Sequence, residues 1–402
     1  MRGDTPPSIK AETRGSSVIL TEFIRLDKMN TRDVIEQFVT SENRIQIMNA
    51  LHEEPASQNE LTERYSMSEA TVSRRCDDLA DRGWVQNRGG RYGLTGAGAI
   101  VLRTYKDCAE TIGRSDHNDL EYLAGAESRV RFLRTLRDDP TEETGLHQGL
   151  SNSTIQRHKK GLEERNLISW RGSECRLTGS GVQALNSYNH FHGTIEQVED
   201  KKSFLRNIGT ECATLPADTL DEAEVIHKTR SHPTRIADDF RKRVREGFDR
   251  AWTLSSRYTE ADVAALHQAI DEGAKISVVS PLPSHDIMPT DSTELRHMRR
   301  GIKLNAIDWR IHPNELPINM VIFDGKEVML AITKQPQERE SVQAMIKSDD
   351  QRLVTWSINF FETYYGGAEP PLTYLYTRLR DAGVDGVLSH IDSLPRSIRS
   401  AG

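Results

Sequence analysis

Cysteine is scarce in this 402-residue chain, and the four present, Cys76, Cys108, Cys175 and Cys212, stand far apart with no C-x-x-C pair. That spacing fits neither a zinc site nor a disulfide framework, so they read as core thiols. No apolar run approaches the ~18 residues that a membrane span requires, which excludes an integral-membrane reading. Positive charge is not in excess either. With 53 Lys and Arg against 60 Asp and Glu the net charge is −7, so a basic surface must be sought locally, if anywhere. Motifs of catalysis are missing as well: there is no G-x-S-x-G, H-E-x-x-H, G-x-x-x-x-G-K-[ST], or G-x-G-x-x-G after a strand. His227, His232, His285, His297 and His312 are dispersed at spacings that do not suggest one metal site, and no metal or cofactor is expected. Met1 to Ser17 is polar and bears Pro and Gly, without an apolar segment ahead of a cleavage site, so a polar leader and a cytoplasmic protein are expected.

What the chain does have is an internal repeat, Ser41 to Leu102 against Ala126 to Leu185. Ser68, Thr71, Val72 and Arg74 fall on Ser151, Thr154, Ile155 and Arg157, all displaced by 83 positions. Leu79, Arg82 and Leu94-Thr95-Gly96 fall on Leu162, Arg165 and Leu177-Thr178-Gly179 in the same register. Each copy predicts three short helices and a hairpin. In the first, Ile45, Met48 and Leu51 mark one helix face, Ser57 caps a second helix, and Ser68 caps a third that buries Val72, Cys76 and Leu79. Gly83 ends that helix. Trp84-Val85, a polar Gly-bearing tip and Tyr92-Gly93-Leu94 then read as strand, turn and strand.

The run Ser68-Glu-Ala-Thr-Val-Ser-Arg-Arg75, followed by Leu79, Arg82-Gly83 and the hairpin, resembles the winged helix-turn-helix of MarR- and ArsR-like regulators. The resemblance implies a third helix in the DNA major groove and a wing against the backbone, because exposed Thr, Ser and Arg can donate to base edges and phosphates. In the first copy it points to Thr71, Ser73, Arg74 and Arg75, with Arg88 and Arg91 at the wing; in the second to Thr154, Gln156, Arg157, His158 and Lys160, with Arg171. The second copy is the more cationic, with 10 Lys and Arg against 8 acids in 124–182, where 41–100 has 7 against 9. Asp77 and Asp78 directly follow the first copy's arginines, whereas Gln156 to Lys160 contains no acid. Lys159, however, takes the place of the core residue Cys76, so its stem must snorkel or that helix must pack differently.

After the second wing, Tyr188, Phe191, Ile195, Val198 and Leu205 follow roughly 3.5-residue spacing, a stripe that can join two chains as a homodimer or cover the adjacent domain. A helix with Ile236, Phe240, Val244 and Phe248 carries Arg241, Lys242, Arg243 and Arg245 on its solvated face. A βαβ rhythm follows, with strands ending at Leu254 and at Val279, then a strand Ile302 to Ile307. Asn319 to Phe323 and Glu327 to Ala331 flank an Asp324-Gly325 hairpin turn, and a closing helix carries Leu353, Trp356, Phe360, Phe361 and Tyr364. The stretch Ala124 to Pro371, ending in Trp356-Ser-Ile-Asn-Phe-Phe-Glu-Thr-Tyr-Tyr365, resembles archaeal regulators of the methanogenesis-regulator (FilR-type) group, which implies a sensor domain behind a winged helix; this chain adds a winged helix in front.

The expected architecture is multidomain α+β, two tandem winged helix-turn-helix domains followed by a mixed α/β sensor domain. The expected boundaries are 1–40, a polar leader and short helix; 41–112 and 124–182, the winged helices; 183–235, a helical connector; 236–371, the sensor; and 372–402, a tail. The function expected is a DNA-binding transcription regulator with double-stranded DNA and a small-molecule effector as partners and no membrane. The alternatives are a protein-interaction adaptor and an enzyme with a catalytic C-terminal domain. The effector is expected near the loop Ser280-Pro-Leu-Pro-Ser284-His285, because open α/β sheets place ligands at the carboxyl ends of strands.

Overall fold

Two serines set the start of two equal helices. Ser68 accepts a hydrogen bond from the Thr71 N–H and Ser151 one from the Thr154 N–H, both at 3.2 Å, and each opens a 13-residue helix. The computed structural model describes residues 30–112, 119–138, 141–142, 151–171, 174–229, 231–256, 260–281, 305–332, 344–371 and 373–374. The first unit runs α1 (Thr31–Val39), α2 (Glu42–Glu53), β1 (Ala56–Ser57), α3 (Gln58–Tyr65), α4 (Glu69–Asp81), β2 (Val85–Arg88), β3 (Arg91–Leu94) and α5 (Gly96–Ile112). Ser57 and Glu60 form a reciprocal capping box on α3, and left-handed Ser66 ends it. The β2–β3 hairpin turns on Gly89 and Gly90, both at positive φ, and β1 adds to its β3 edge. Ile47, Met48, Leu51, Leu61, Val72, Cys76, Leu79 and Trp84 fill the space between.

The second unit repeats the plan with α6 (Asp119–Ala124), α7 (Glu127–Asp138), β4 (Thr141–Glu142), α8 (Asn152–Glu164), β5 (Ile168–Arg171), β6 (Glu174–Leu177) and α9 (Gly179–Asp200). Buried Ile35 and Phe38 of α1 are matched by buried Leu120 and Leu123 of α6, here displaced by 85 positions. The special backbone positions repeat too. Left-handed Gly83 is matched by left-handed Asn166, and the Thr95 and Thr178 hydroxyls accept from Gly98 and Gly181 N–H at 3.1 and 2.9 Å. A Cβ at Gly98 or Gly181 would overlap the carbonyl oxygen of Trp84 or Leu167, so the repeated Gly-x-Gly lets each long helix approach the start of its hairpin.

The long helices α5 and α9 pack along each other, with Tyr105 of α5 on Phe191 of α9 at 6.2 Å between ring centroids. This corrects one expectation. Tyr188, Phe191, Ile195, Val198 and Leu205 are all buried within the one chain, so the stripe is occupied by α5 and its neighbours and offers no seam to a second chain. Beyond α9 come α10 (Lys202–Leu205) and two 3₁₀ turns, Thr210–Thr214 and Ala217–Leu220; the first of these turns packs against α5.

The C-terminal half is built on β7 (Glu224–His227), α11 (Arg235–Arg245), β8 (Arg250–Leu254), α12 (Glu260–Asp271), β9 (Lys275–Pro281), β10 (Ile307–His312), β11 (Asn319–Phe323), β12 (Glu327–Ile332), β13 (Ala344–Ser348) and α13 (Gln351–Gly366). One seven-stranded sheet runs β10-β9-β8-β11-β12-β13-β7, parallel across β10, β9 and β8 and antiparallel beyond. Ile236, Val244, Ala269 and Ile270 of α11 and α12 cover one face, while Leu353, Val354 and Phe361 of α13 belong to the core on the other. The strand expected at Ile302 to Ile307 begins only at Ile307, after left-handed Asn305, and 301–304 lie outside the described residues. The sheet also claims β7 from the segment expected to be helical connector. Two arginines of α11 are held within the domain, Arg241 by Asp238 at 2.6 Å and Asp262 at 3.3 Å and Arg243 by Glu327, while Lys242 and Arg245 are exposed. Among the described residues no helix is long and apolar enough to cross a membrane. All four cysteines are buried, and burial raises the Cys76 and Cys108 thiols to about 12.

Candidate nucleic-acid interface

The residues expected to meet DNA separate into those turned outward and those turned in. Arg74 and Arg157, counterparts on α4 and α8, are both exposed, and neither has an ion-pair partner among the described residues. Thr71 and Thr154 are half-exposed beside the caps, their hydroxyls 2.8 and 2.9 Å from Ser68 and Ser151. Ser73 lies 3.5 Å from Asp77, and Gln156 is exposed. Lys160 is exposed, with only a loose approach to Glu164 at 3.9 Å. At the hairpins, Arg88 and Arg171 are exposed; Arg88 touches Gln86 at 3.1 Å, and Glu174, opposite Arg171, is taken by Arg176 at 2.7 Å.

Three expected contacts turn elsewhere. His158 is 1% exposed and its Nε2 lies 2.8 Å from the Ser128 hydroxyl, so it faces the core of its unit. Burial, with Arg129 and Arg157 nearby, lowers its pKa and keeps it neutral. Its counterpart Arg75 is half-buried and shares Asp78 with Arg44, at 3.3 and 2.9 Å. Both occupy the inner side of their helices because they stand three residues after a core position, Val72 or Ile155. Arg91 is bound to Glu60 at 3.2 Å and to the Pro55 carbonyl, which ties the hairpin to α3.

Some of the site's supports were not anticipated. Lys159, in the place of Cys76, is buried with its Nζ 4.7 Å from the centre of the Trp170 ring, so the helix keeps its register by a cation–π contact with hairpin strand β5. Tyr122 lies between the Arg129 and Arg165 guanidiniums, each 3.9 Å from its ring, and Arg165 in turn meets buried Asp119 at 3.1 Å. A Cβ at Gly161 would overlap the Tyr122 hydroxyl, so that glycine admits the sandwiched ring. The trace of this cluster in the sequence is faint: a glycine within a helix, and a tyrosine with arginines seven residues after it and 43 after it.

In the C-terminal domain, Ser280 is buried at the carboxyl end of β9 and its Oγ accepts from the Trp309 indole at 2.8 Å. Ser284 and His285 lie outside the described residues.

Paired helix-and-hairpin units ahead of a mixed-sheet domain define the class, and the comparisons give the family. The model of the HVO_A0261 N-terminal domain matches twice, at 32–117 and 117–200, and that of the middle domain of the methanogenesis regulatory protein FilR1 matches 233–366. The chain thus carries two units of the HVO_A0261 N-terminal type ahead of a domain of the FilR1 middle type. No curated protein gives a significant sequence match. Similar solved structures include TrmBL2, an archaeal chromatin protein, at 14% identity over 60% of this chain and 92% of that one, with a TM-score of 0.29. NucT from Helicobacter pylori follows at 10% identity, 37% and 97% coverage and a TM-score of 0.28. The phospholipase D family member Nuc from Salmonella typhimurium stands at 15%, 37% and 97%, with 0.29. At these TM-scores none of the three bears on function.

Proposed function

We propose that each N-terminal unit is a winged helix-turn-helix and that the chain is a DNA-binding transcription regulator. The observation that carries this reading is the pair Arg74 and Arg157: equivalent, exposed and unpaired among the described residues, each on a Ser-capped helix beside a hairpin tipped with arginine. Such a helix presents donors to base edges while the wing arginines address phosphates. A family model described as a regulatory protein supports the same reading. The role is one of binding without turnover, carried out in the cytoplasm where the chromosome lies.

The C-terminal domain is the sensing part in this reading. Strand direction reverses between β8 and β11, and the carboxyl ends of parallel β8 and β9 lie beside that reversal, where open sheets take ligands. Ser280 belongs to that edge, and Ser284 and His285 follow it in sequence. The test of DNA binding is titration of the purified chain against a pool of random duplexes at two salt concentrations. Retention that falls steeply with salt is expected, since phosphate contacts release counterions; no retention at low salt removes the reading.

A further inference from the structure

The two units do not merely repeat; they face each other. Among the described residues four helix contacts join the units, and each maps onto itself or onto another when the units are exchanged. Helix α5 packs on its own counterpart α9, and α1 packs on its own counterpart α6. Helix α1 also packs on α9, and the exchanged contact, α6 on α5, is present too. The side chains follow suit. Tyr105 rests on Phe191, and their counterparts Tyr188 and Cys108 are buried on the same two helices. A head-to-tail arrangement joins two different patches and lacks such reciprocity, whereas a two-fold arrangement requires it.

We infer that the two units form a pseudo-two-fold dimer fused within one chain, so that a single copy binds one duplex site made of two inverted, unequal half-sites. The inference rests on the DNA-binding reading and goes beyond it by fixing stoichiometry, half-site orientation and asymmetry. A two-fold relation carries α4 onto α8, and so places Arg74 and Arg157 in symmetric positions, as the recognition helices of a dimer are placed on an operator. The stripe that a separate dimer would use is buried between α5 and α9, so a second chain is not needed to complete the pair. The half-sites differ because Ser73 faces Gln156 across the pseudo-axis and Asp77 faces Lys160. The surroundings differ as well. Gly96 of the first unit is covered by Leu205 and Ile208 of the connector, whereas nothing lies within 4 Å of a Cβ at Gly179 of the second.

The experiment selects duplexes from a random pool with the full chain, then measures the mass of the complex by light scattering and maps protection by hydroxyl-radical footprinting. One chain per duplex is expected, with protection over two inverted half-sites spaced by whole turns of about 10 bp. Arg157→Ala should remove protection from one half-site and Arg74→Ala from the other. Two chains per site, half-sites in the same orientation, or protection of a single half-site that Arg74→Ala leaves intact would overturn the inference while leaving DNA binding standing. Failure to retain any duplex at low salt would instead overturn the DNA-binding reading beneath it.

Discussion

Arg74 and Arg157 are the same residue twice, yet their neighbours differ. Asp78 is held by Arg75 and Arg44 and Asp77 lies near Ser73, so the helix that bears the first arginine also carries two carboxylates in its next turn. On α8 the nearest acid after Arg157 is one turn beyond Lys160. We expect Arg157→Ala to cost about 1–3 kcal/mol of duplex affinity and Arg74→Ala less, and Lys160→Ala to lower the salt slope by about 1. Titrating the three variants against one selected duplex at two salt concentrations checks the order; a larger loss for Arg74→Ala would reverse the assignment. A second residue-scale prediction concerns packing. Gly181→Ala drives a methyl into the Leu167 carbonyl, which should destabilise by at least about 1–3 kcal/mol, while Gly179→Ala, two residues away in open space, should be tolerated. Thermal unfolding midpoints of the two variants compare them directly.

At the scale of elements, three segments meet where the N-terminal half joins the C-terminal one. His190 of α9 approaches Asp218 of the second 3₁₀ turn at 3.6 Å, and Arg352 of α13 meets the same carboxylate at 2.9 Å. Nearby, the Trp356 indole of α13 donates to Thr214 at 2.9 Å. The Asp218 carboxylate raises the His190 pKa against the opposing effects of burial and Arg352, and His190 and Arg352 lower that of Asp218 against burial. A raised histidine stabilises fully below its unfolded value near 6.5, and that stability is lost as pH rises through the folded value. A lowered aspartate stabilises fully above its unfolded value near 3.8, and loses that as pH falls through the folded one. The link should therefore be strongest between these limits. The gap in unfolding midpoint between the parent and His190→Gln is expected to be larger at pH 5.5 than at pH 8.5; an equal gap at both would show that the pair carries no pH-dependent stability.

For the whole molecule, the sensing role proposed for the C-terminal domain requires a path to the N-terminal units. The first 3₁₀ turn after α10 packs on α5, and its Thr214 accepts from Trp356 of the sheet domain, so one short segment touches both halves. If the effector site lies at the carboxyl end of β9, Ser280→Ala and His285→Ala should blunt the change in duplex affinity that a cell extract or metabolite pool produces in the parent. A response equal to the parent's in both variants would move the site elsewhere.

Much of this protein was written in local pattern. The Ser caps, Gly83 after the first of the third helices and the Asp324-Gly325 hairpin depend on neighbours a few residues apart, so helix and strand chemistry alone made them legible, and the 83-residue displacement was legible by aligning the chain with itself; left-handed Asn166, the counterpart of Gly83, was not. The register of α8 was legible in part: Ile155 to Leu162 already places position 158 inward, yet a histidine among arginines and lysines reads as a surface residue until Ser128 is seen beside it. What only the tertiary structure decided was partnership. An apolar stripe says that a face must be buried and is silent about what buries it, because the hydrophobic effect has no direction. Here α5 of the same chain covers α9, β7 returns from the connector to close the sheet edge at β13, and Lys159 finds Trp170. Each of these contacts joins parts of the chain whose pairing no local spacing could specify.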